Sequence, residues 1–418
     1  MTRPPVEQAE VVRRPGAARR ETPPAVERRA DAEQRPPRPI RVMVIRSITG
    51  AGGGADKIIL RTAAIGARRG LQMTLCAIHG RRDREFDLPQ RAARAGAELI
   101  AIAQRWPGDP RVFARLDQVA REGSFDVIDS HDYKANFYAL RLRRRYGVPI
   151  VSTAHGYTGN SLRERGLYYP LDKRNLRRFD AVIGVSSDLC EELARCGVAR
   201  SRLSVVLNGV DAQRYRCDDS IRAEVRRRLG VGEQDVLIGS AGRVERQKRF
   251  DLLIDAFAGL AARRPQLRLV IAGAGSLLES LRARAARLGL GDRCRLIGHH
   301  GNMLRLYQAF DLFVQSSEYE GTPTVLVEAM AMQIPIVATD VGGTTELARP
   351  AEDALIVPPH DVGALAAAIE LALSDPIETS KRVARARQRT EQELSLDHRT
   401  HRLIEIYRQV ITERGAGR

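Results

Sequence analysis

Ile40-Arg-Val-Met-Val-Ile-Arg-Ser47, followed by Gly50-Ala-Gly52-Gly53-Gly54-Ala55 and a helical stretch over 56–68, decides the fold. Val42 to Ile45 are apolar without a break, so both pleats of this strand face a core, as in a parallel sheet. Glycines between such a strand and the next helix let the backbone approach an anion at the helix N-terminus. Gly50-x-Gly52-x-x-Ala55 also fits the relaxed dinucleotide fingerprint. The following strand, however, ends Ile78-His79-Gly80, without the acid that would hold a ribose. A substrate or phosphate loop and a plain strand–helix turn both stand open on these residues.

The alternation continues outward from that unit. Strands are expected at 71–78, 97–103, 125–131, 149–155, 180–186 and 203–209, with helices near 87–95, 110–122, 134–146, 168–178 and 187–195. After Asp211 the pattern restarts with VLIGSAGR (236–243) and a helix at 250–263. Strands at 267–275, 294–299, 311–317 and 335–340 follow, with helices at 276–288 and near 303–309, 324–332 and 344–349. Short apolar strands alternating with amphipathic helices predict an α/β chain of two doubly wound domains, residues 40–212 and 213–394. A last helix, about 395–413, carries Leu396, Leu403, Ile406 and Val410 at helical spacing. Residues 1–39 hold eight prolines, many charges and almost no large apolar side chains, and are expected to form a disordered tail. In two facing domains of this class, ligands sit in the cleft outside the carboxyl ends of the strands.

Composition narrows the function classes. No apolar run approaches the roughly 18–20 residues of a membrane span, and the first 20 residues lack the apolar stretch of a signal peptide. The five cysteines, Cys76, Cys190, Cys196, Cys217 and Cys294, form no disulfide framework or zinc spacing. A cytoplasmic protein is the expectation. The net charge of +17 is uneven: residues 40–212 hold 29 basic against 18 acidic groups, and residues 213–418 hold 30 against 27. Arg141, Arg143, Arg144 and Arg145 form one cluster, and Lys173, Arg174, Arg177 and Arg178 another. Such an excess attracts phosphates on a membrane surface, a nucleic acid or a small anion, or is simply a solvated face. Aromatics at 5% supply no stacking platform for nucleic acid.

Three motifs carry chemistry. In Gly242-Arg243-x4-Lys248, two permanent cations follow the first strand of the second half and can clamp a diphosphate; a surface pair is the plainer alternative. In Glu318-Tyr-Glu320-Gly321-Thr322-Pro323-Thr324-Val325-Leu-Val-Glu328-Ala-Met330, two carboxylates bracket a Gly/Pro turn into a helix. The amides of Thr324 and Val325 open that helix and are free for an anion. Carboxylates accept from vicinal hydroxyls, so the pair suits a sugar and a ribose. His131 and His155 end strands of the first half, and His299-His300 ends one in the second. No Asp-x-Asp occurs, which argues against a carboxylate-held divalent ion.

These residues resemble the retaining glycosyltransferase family 4, the group 1 transferases. The likeness runs from about Ile40 to Tyr407. Its most specific part is EGTPTVLVEA (320–329), with GRVERQK (242–248), VLNGVD (206–211), IAGAGSLLESL (271–281), VGGTTEL (341–347) and AHG (154–156) beside it. The resemblance implies a GT-B fold, two Rossmann-like domains facing across a cleft, with residues 395–418 crossing back to the first. It implies that Arg243 and Lys248 hold the donor diphosphate, that Glu320 binds the transferred sugar, and that Glu328 binds the ribose. Gly242 and the backbone from Gly321 through Thr322, Pro323 and Thr324 to Val325 would line sugar and phosphate. His155 would approach the sugar, and His300 the base. Gly53 and Gly54 would let the first domain close. Two positions depart from the family: Arg249 stands where glycine usually follows the lysine, and Thr322-Pro323 where Phe-Gly often stands.

The expected protein is a cytoplasmic, metal-independent, retaining transferase without a cofactor. It would move a sugar from a nucleotide diphosphate sugar, a UDP-sugar foremost, to a hydroxyl acceptor. A glycan or lipid-linked glycan of cell-envelope or exopolysaccharide synthesis fits, with peripheral contact to an anionic membrane and no nucleic-acid partner. The rival readings are a same-fold sugar-nucleotide epimerase or hydrolase, a nicotinamide dehydrogenase, and a nucleic-acid binder suggested by charge alone.

Overall fold

The structure is a computed structural model that describes residues 38–50, 52–84, 86–156 and 163–416. The expected tail, 1–39, lies almost wholly outside the described residues.

The first sheet holds β1 (Ile40–Ile48), β2 (Leu71–Gly80), β3 (Glu98–Gln104), β4 (Val127–Ser130), β5 (Ile150–Ala154), β6 (Ala181–Gly184) and β7 (Leu203–Val205), in the spatial order β3-β2-β1-β4-β5-β6-β7. All of its pairings are parallel. The second holds β8 (Val236–Ala241), β9 (Leu267–Ala272), β10 (Cys294–Gly298), β11 (Leu312–Gln315), β12 (Ile336–Thr339) and β13 (Leu355–Val357), in the order β10-β9-β8-β11-β12-β13 and again all parallel. The period-2 alternation of a strand sends Val42 and Val44 into one core and Met43 and Ile45 into another, so helices cover both faces. In β11, Phe313 faces one core while Leu312 and Val314 face the other.

The last helix, Leu396–Ala416, returns to the first sheet. Leu403, Ile404, Ile406, Tyr407 and Val410 pack into the same core as β1 and the helix Gly54–Gly66. The two backbone crossings between halves lie side by side: Val210 N donates to Leu394 O at 2.9 Å, and Leu396 N to Val210 O at 3.1 Å. A Cβ on Gly209 would stand 2.7 Å from the Ser395 carbonyl carbon, so only glycine fits between the crossings.

Three expectations are corrected. The strand expected at 203–209 ends at Val205, because Asn208 turns away to donate from Nδ2 to Thr322 O at 3.1 Å. The helix expected near 168–178 is Tyr169–Leu176, preceded by a π turn at Glu164–Tyr168. Helices Asp219–Arg228, Val362–Ser374 and Pro376–Gln392 and strand β13 had no counterpart in the sequence reading.

Candidate active site

The carboxyl ends of both sheets meet, and most sequence-predicted residues converge there. Lys248 Nζ lies 2.5 Å from Glu320 Oε1, with both side chains nearly buried. Ser317 Oγ donates to the same carboxylate oxygen at 2.6 Å. Gly242 makes room for this lysine: a Cβ there would meet Lys248 Cε at 2.8 Å. Arg243 is exposed, held at one end by Nη2 donating to Gln247 Oε1 at 2.8 Å. Buried Gln247 in turn donates to Tyr319 O at 2.9 Å, tying the cation loop to the carboxylate loop. Arg249, where the family usually has glycine, adopts the glycine-like backbone conformation at φ 46°. That costs a side chain about 1–2 kcal/mol, offset by a two-point pairing with Asp251 at 3.1 Å.

The turn from Glu320 into the helix Thr324–Ala331 is fixed from two sides, besides the Asn208 bond to Thr322 O. Thr322 Oγ1 donates to Val185 O of the first half at 2.5 Å, and Gly343 N donates to Gly321 O at 2.8 Å. Pro323 caps the helix in an extended conformation and lacks an N–H, leaving the Thr324 and Val325 amides to open the helix. Gly342 sits at φ 51°, and a Cβ there would stand 1.9 Å from Glu320 O. Gly342→Ala is therefore expected to push Glu320 off its position and lower kcat at least tenfold, with a smaller fall in melting temperature. Steady-state rates beside a thermal melt check this; parent-like turnover would show that the backbone position does not matter.

Glu328 is buried and accepts from Tyr307 OH at 3.0 Å. Its other oxygen pairs with Lys57 of the helix Gly54–Gly66, an ion pair between the two halves. Lys57 also donates to Tyr215 OH at 3.3 Å. Burial lowers the Lys57 pKa, and Glu328 acts against that. Burial, with Glu328 adding to it, pushes the Tyr307 phenol well above its ordinary range. Lys57 was missed from sequence because its partner lies 271 residues away.

The two glycines of the first loop part company. A Cβ on Gly54 would meet Thr324 Oγ1 at 2.9 Å, whereas Gly53 faces open space. Close approach of the halves thus requires glycine at 54 and not at 53. The loop is anchored by buried Asp56, which accepts from Gly53 N at 2.6 Å and pairs with Arg46.

His155 follows β5 directly, and its carbonyl oxygen would be 2.9 Å from a Cβ on Gly321. Its Nε2 is 2.9 Å from Nδ1 of buried His131, and His131 Nε2 lies 3.4 Å from Asp129 Oδ2. Asp129 also accepts from Thr153 Oγ1 at 3.1 Å and from Tyr407 OH of the last helix at 2.6 Å. Burial first, then Arg46, His131 and Arg399, holds His155 well below the usual imidazole range, so it stands neutral at pH 7. His300 follows β10 at the same carboxyl edge and makes no described contact with the other site residues. No group of three His, Cys, Asp or Glu side chains placed to hold a metal ion occurs among the described residues.

Two facing Rossmann-like domains with cations and carboxylates converging at their strand ends define a GT-B glycosyltransferase. A family model described as glycosyl transferases group 1 matches residues 221–390, and one described as glycosyltransferase family 4 matches residues 52–214. The chain belongs to the group 1 glycosyltransferases. It is 28% identical over 391 residues to a D-inositol 3-phosphate glycosyltransferase of Rhodococcus jostii, covering 86% of this chain and 85% of that protein. It is 31% identical over 239 residues to the lipopolysaccharide core biosynthesis mannosyltransferase LpsB of Rhizobium meliloti, covering 56% and 66%. Among solved structures, Anabaena HepE in complex with UDP and glucose superimposes with a TM-score of 0.76 at 21% identity, covering 88% of this chain and 98% of that one.

Proposed function

We propose that the protein is a metal-independent, retaining transferase that moves a sugar from a UDP-sugar to a hydroxyl of a glycan or lipid-linked glycan. The observation that carries this is the Lys248–Glu320 pair with Arg243 exposed beside it. Breaking the bond from the sugar C1 to the diphosphate oxygen leaves negative charge on the diphosphate, and preorganised cations there stabilise it. In this reading Arg243 and Lys248 fill the place of a divalent ion, Glu320 holds the sugar hydroxyls and Glu328 the ribose. The acceptor hydroxyl oxygen then bonds to C1 with retained configuration, and its proton passes to the departing diphosphate oxygen. UDP and the glycan acceptor are suggested by what HepE was crystallised with and by the relatives' names.

A panel of UDP-, GDP- and ADP-sugars in thermal-shift and product assays tests the reading. A UDP-sugar at 100 times its Kd is expected to add about 2.7 kcal/mol of stability. Chelator is expected to leave the rate unchanged. Activity lost in EDTA and restored by Mg²⁺ or Mn²⁺ refutes metal independence, and a rearranged or hydrolysed donor without transfer favours the epimerase or hydrolase.

The first half offers a surface for peripheral contact with the inner, cytoplasmic face of an anionic membrane, though much of its charge is internally matched. Arg143 pairs with Asp180, Arg145 with Asp117 and Lys173 with Glu192. What supports contact is an apolar patch: Phe137 of the helix Tyr133–Tyr146, Leu167 and Tyr168 of the π turn and Leu171 of the helix Tyr169–Leu176 are exposed, with exposed Arg144 and Arg174 on those two helices. Tyr133 stacks on Tyr168 at 5.4 Å and joins those helices. Apolar and basic residues together favour an anionic bilayer surface. The Phe137→Ser/Leu171→Ser variant is expected to lose most co-sedimentation with phosphatidylglycerol vesicles at low salt; equal pelleting of the parent with neutral vesicles refutes this.

A further inference from the structure

We propose that the concave surface around Trp106 is an acceptor subsite for an anionic saccharide. The inference rests on the glycosyl-transfer reading and adds where the part of the acceptor away from the reacting hydroxyl lies and what charge it carries.

A cavity of about 760 Å³ opens where β2 and β3 end, lined by Arg81, Arg82, Asp83, Gln104, Arg105 and Trp106 among others. Its walls are held in place by the backbone. Arg81 N donates to Gln104 O at 2.9 Å, joining the two strand ends. Buried Asp109 accepts from the Arg105 and Arg111 amides at 3.1 Å, and its own amide donates to Trp106 O at 3.1 Å. Trp106 is therefore presented from a fixed turn. It is the chain's single tryptophan and is 52% exposed. Leaving an indole half in water forgoes burial that would otherwise stabilise the fold.

The charge around it is largely free of close pairing, although Arg105 lies in the electrostatic field of buried Asp109. Arg81, Arg82 and Arg105 are exposed and form no ion pair among the described residues. Elsewhere in this half Arg91, Arg143, Arg145 and Arg200 are each matched to a carboxylate. Asp83, the acid in the wall, accepts from Gly50 N at 2.7 Å. Three guanidinium forks on one cavity suit carboxylate or phosphate. A sugar ring offers an apolar C–H face to the indole while its hydroxyls and acid group reach the surrounding donors.

The cavity also lies on the right edge. The Asp83–Gly50 bond joins it to the glycine loop, and Gly54 of that loop touches Thr324 at the donor side. β3 is two strand spacings, about 10 Å, from β1, so a chain of sugars entering over Trp106 runs along the strand ends toward Glu320. A bilayer is the poorer occupant. The surface is concave and bears one aromatic among arginines, while the exposed apolar patch lies on the helices Tyr133–Tyr146 and Tyr169–Leu176 and the π turn Glu164–Tyr168.

Because Trp106 is the single tryptophan, its emission reports on this cavity directly. The full chain is titrated with a tetragalacturonate, with a phosphorylated mannose oligosaccharide and with neutral maltotetraose, with and without saturating UDP. The expected result is a saturable emission change with one or both anionic probes, at least tenfold weaker with maltotetraose, weakened by salt and unaffected by UDP. The two anionic arms separate carboxylate from phosphate recognition. The Arg81→Gln/Arg82→Gln/Arg105→Gln variant is expected to lose at least tenfold in this affinity with an unchanged melting temperature. Absence of response to both anionic probes, an equal response to the neutral one, or displacement by UDP overturns the proposal. So does a response to phosphatidylglycerol vesicles alone. Failure of the transfer reading shows separately, as no turnover of any nucleotide sugar in the donor panel.

Discussion

Lys248→Met is expected to lower kcat by about 10²–10³-fold, the cost of removing one preorganised charge-stabilising donor. Lys248 and Glu320 satisfy each other in a nearly water-free spot, so the variant also leaves the Glu320 carboxylate with Ser317 as its remaining described partner. Removing one member of such a pair is harsher than removing both. Lys248→Met/Glu320→Gln is therefore expected to melt higher than Lys248→Met alone while remaining as inactive. The two losses thereby separate: the single variant's rate reports the chemistry, and the difference in melting temperature reports the pair. A single variant turning over at more than a tenth of the parent rate would remove Lys248 from the diphosphate.

Asp129→Ala is expected to cost about 3–5 kcal/mol of stability, the range for stripping a buried charge of its counterpart. Asp129 is 1% exposed and lies among Thr153, His131, Tyr407 and the electrostatic field of Arg399, itself 3% exposed. Burial lowers the Arg399 pKa, and Tyr407 and Asp129 counter that. With the carboxylate gone, the Arg399 guanidinium keeps one described hydrogen bond, from Nη1 to Thr62 Oγ1 at 3.1 Å. Asp129→Asn keeps the shape and is expected to lose less, and Arg399→Leu on top of Asp129→Ala is expected to recover part of the loss. Chemical denaturation measures all three; a loss under 1 kcal/mol for Asp129→Ala would show that the cluster is not what ties the last helix down.

These two clusters also mark how far the sequence could be read. Arg243, Lys248, Glu320 and Glu328 sit at strand ends or at the start of a helix, so local pattern and topology together put them on one edge. Lys57, Asp56, Asp129 and Tyr407 carry no local signature. Each is one more charged or polar residue on a strand or helix, and its role comes from a neighbour brought by the fold, as with Tyr407 and Asp129, 278 residues apart. Arg249 shows the opposite limit, a position where the family resemblance implied glycine and a paired arginine tolerates the same backbone. β7 was overread because Val206 and Leu207 continue its apolar run, while Asn208 and Gly209 serve the crossing to the other half.

That crossing works as a door hung on two adjoining pins. Both covalent connections pass through one hydrogen-bonded spot, Val210 against Leu394 and Leu396, so a relative movement of the halves that keeps these bonds is confined to a swing about that line. A swing about that line breaks no ladder of either sheet. What parts is a set of side-chain links, among them Lys57 with Glu328 and Tyr215, Thr322 with Val185, Asn208 with the Thr322 carbonyl at 3.1 Å, and Ser187 with Glu346 at 2.7 Å. At about 0.5–1.5 kcal/mol for each neutral link and roughly 1.5–3 kcal/mol for the charged ones, these links set most of the polar cost of opening. Each group so parted is left as a donor or acceptor facing the space between the halves.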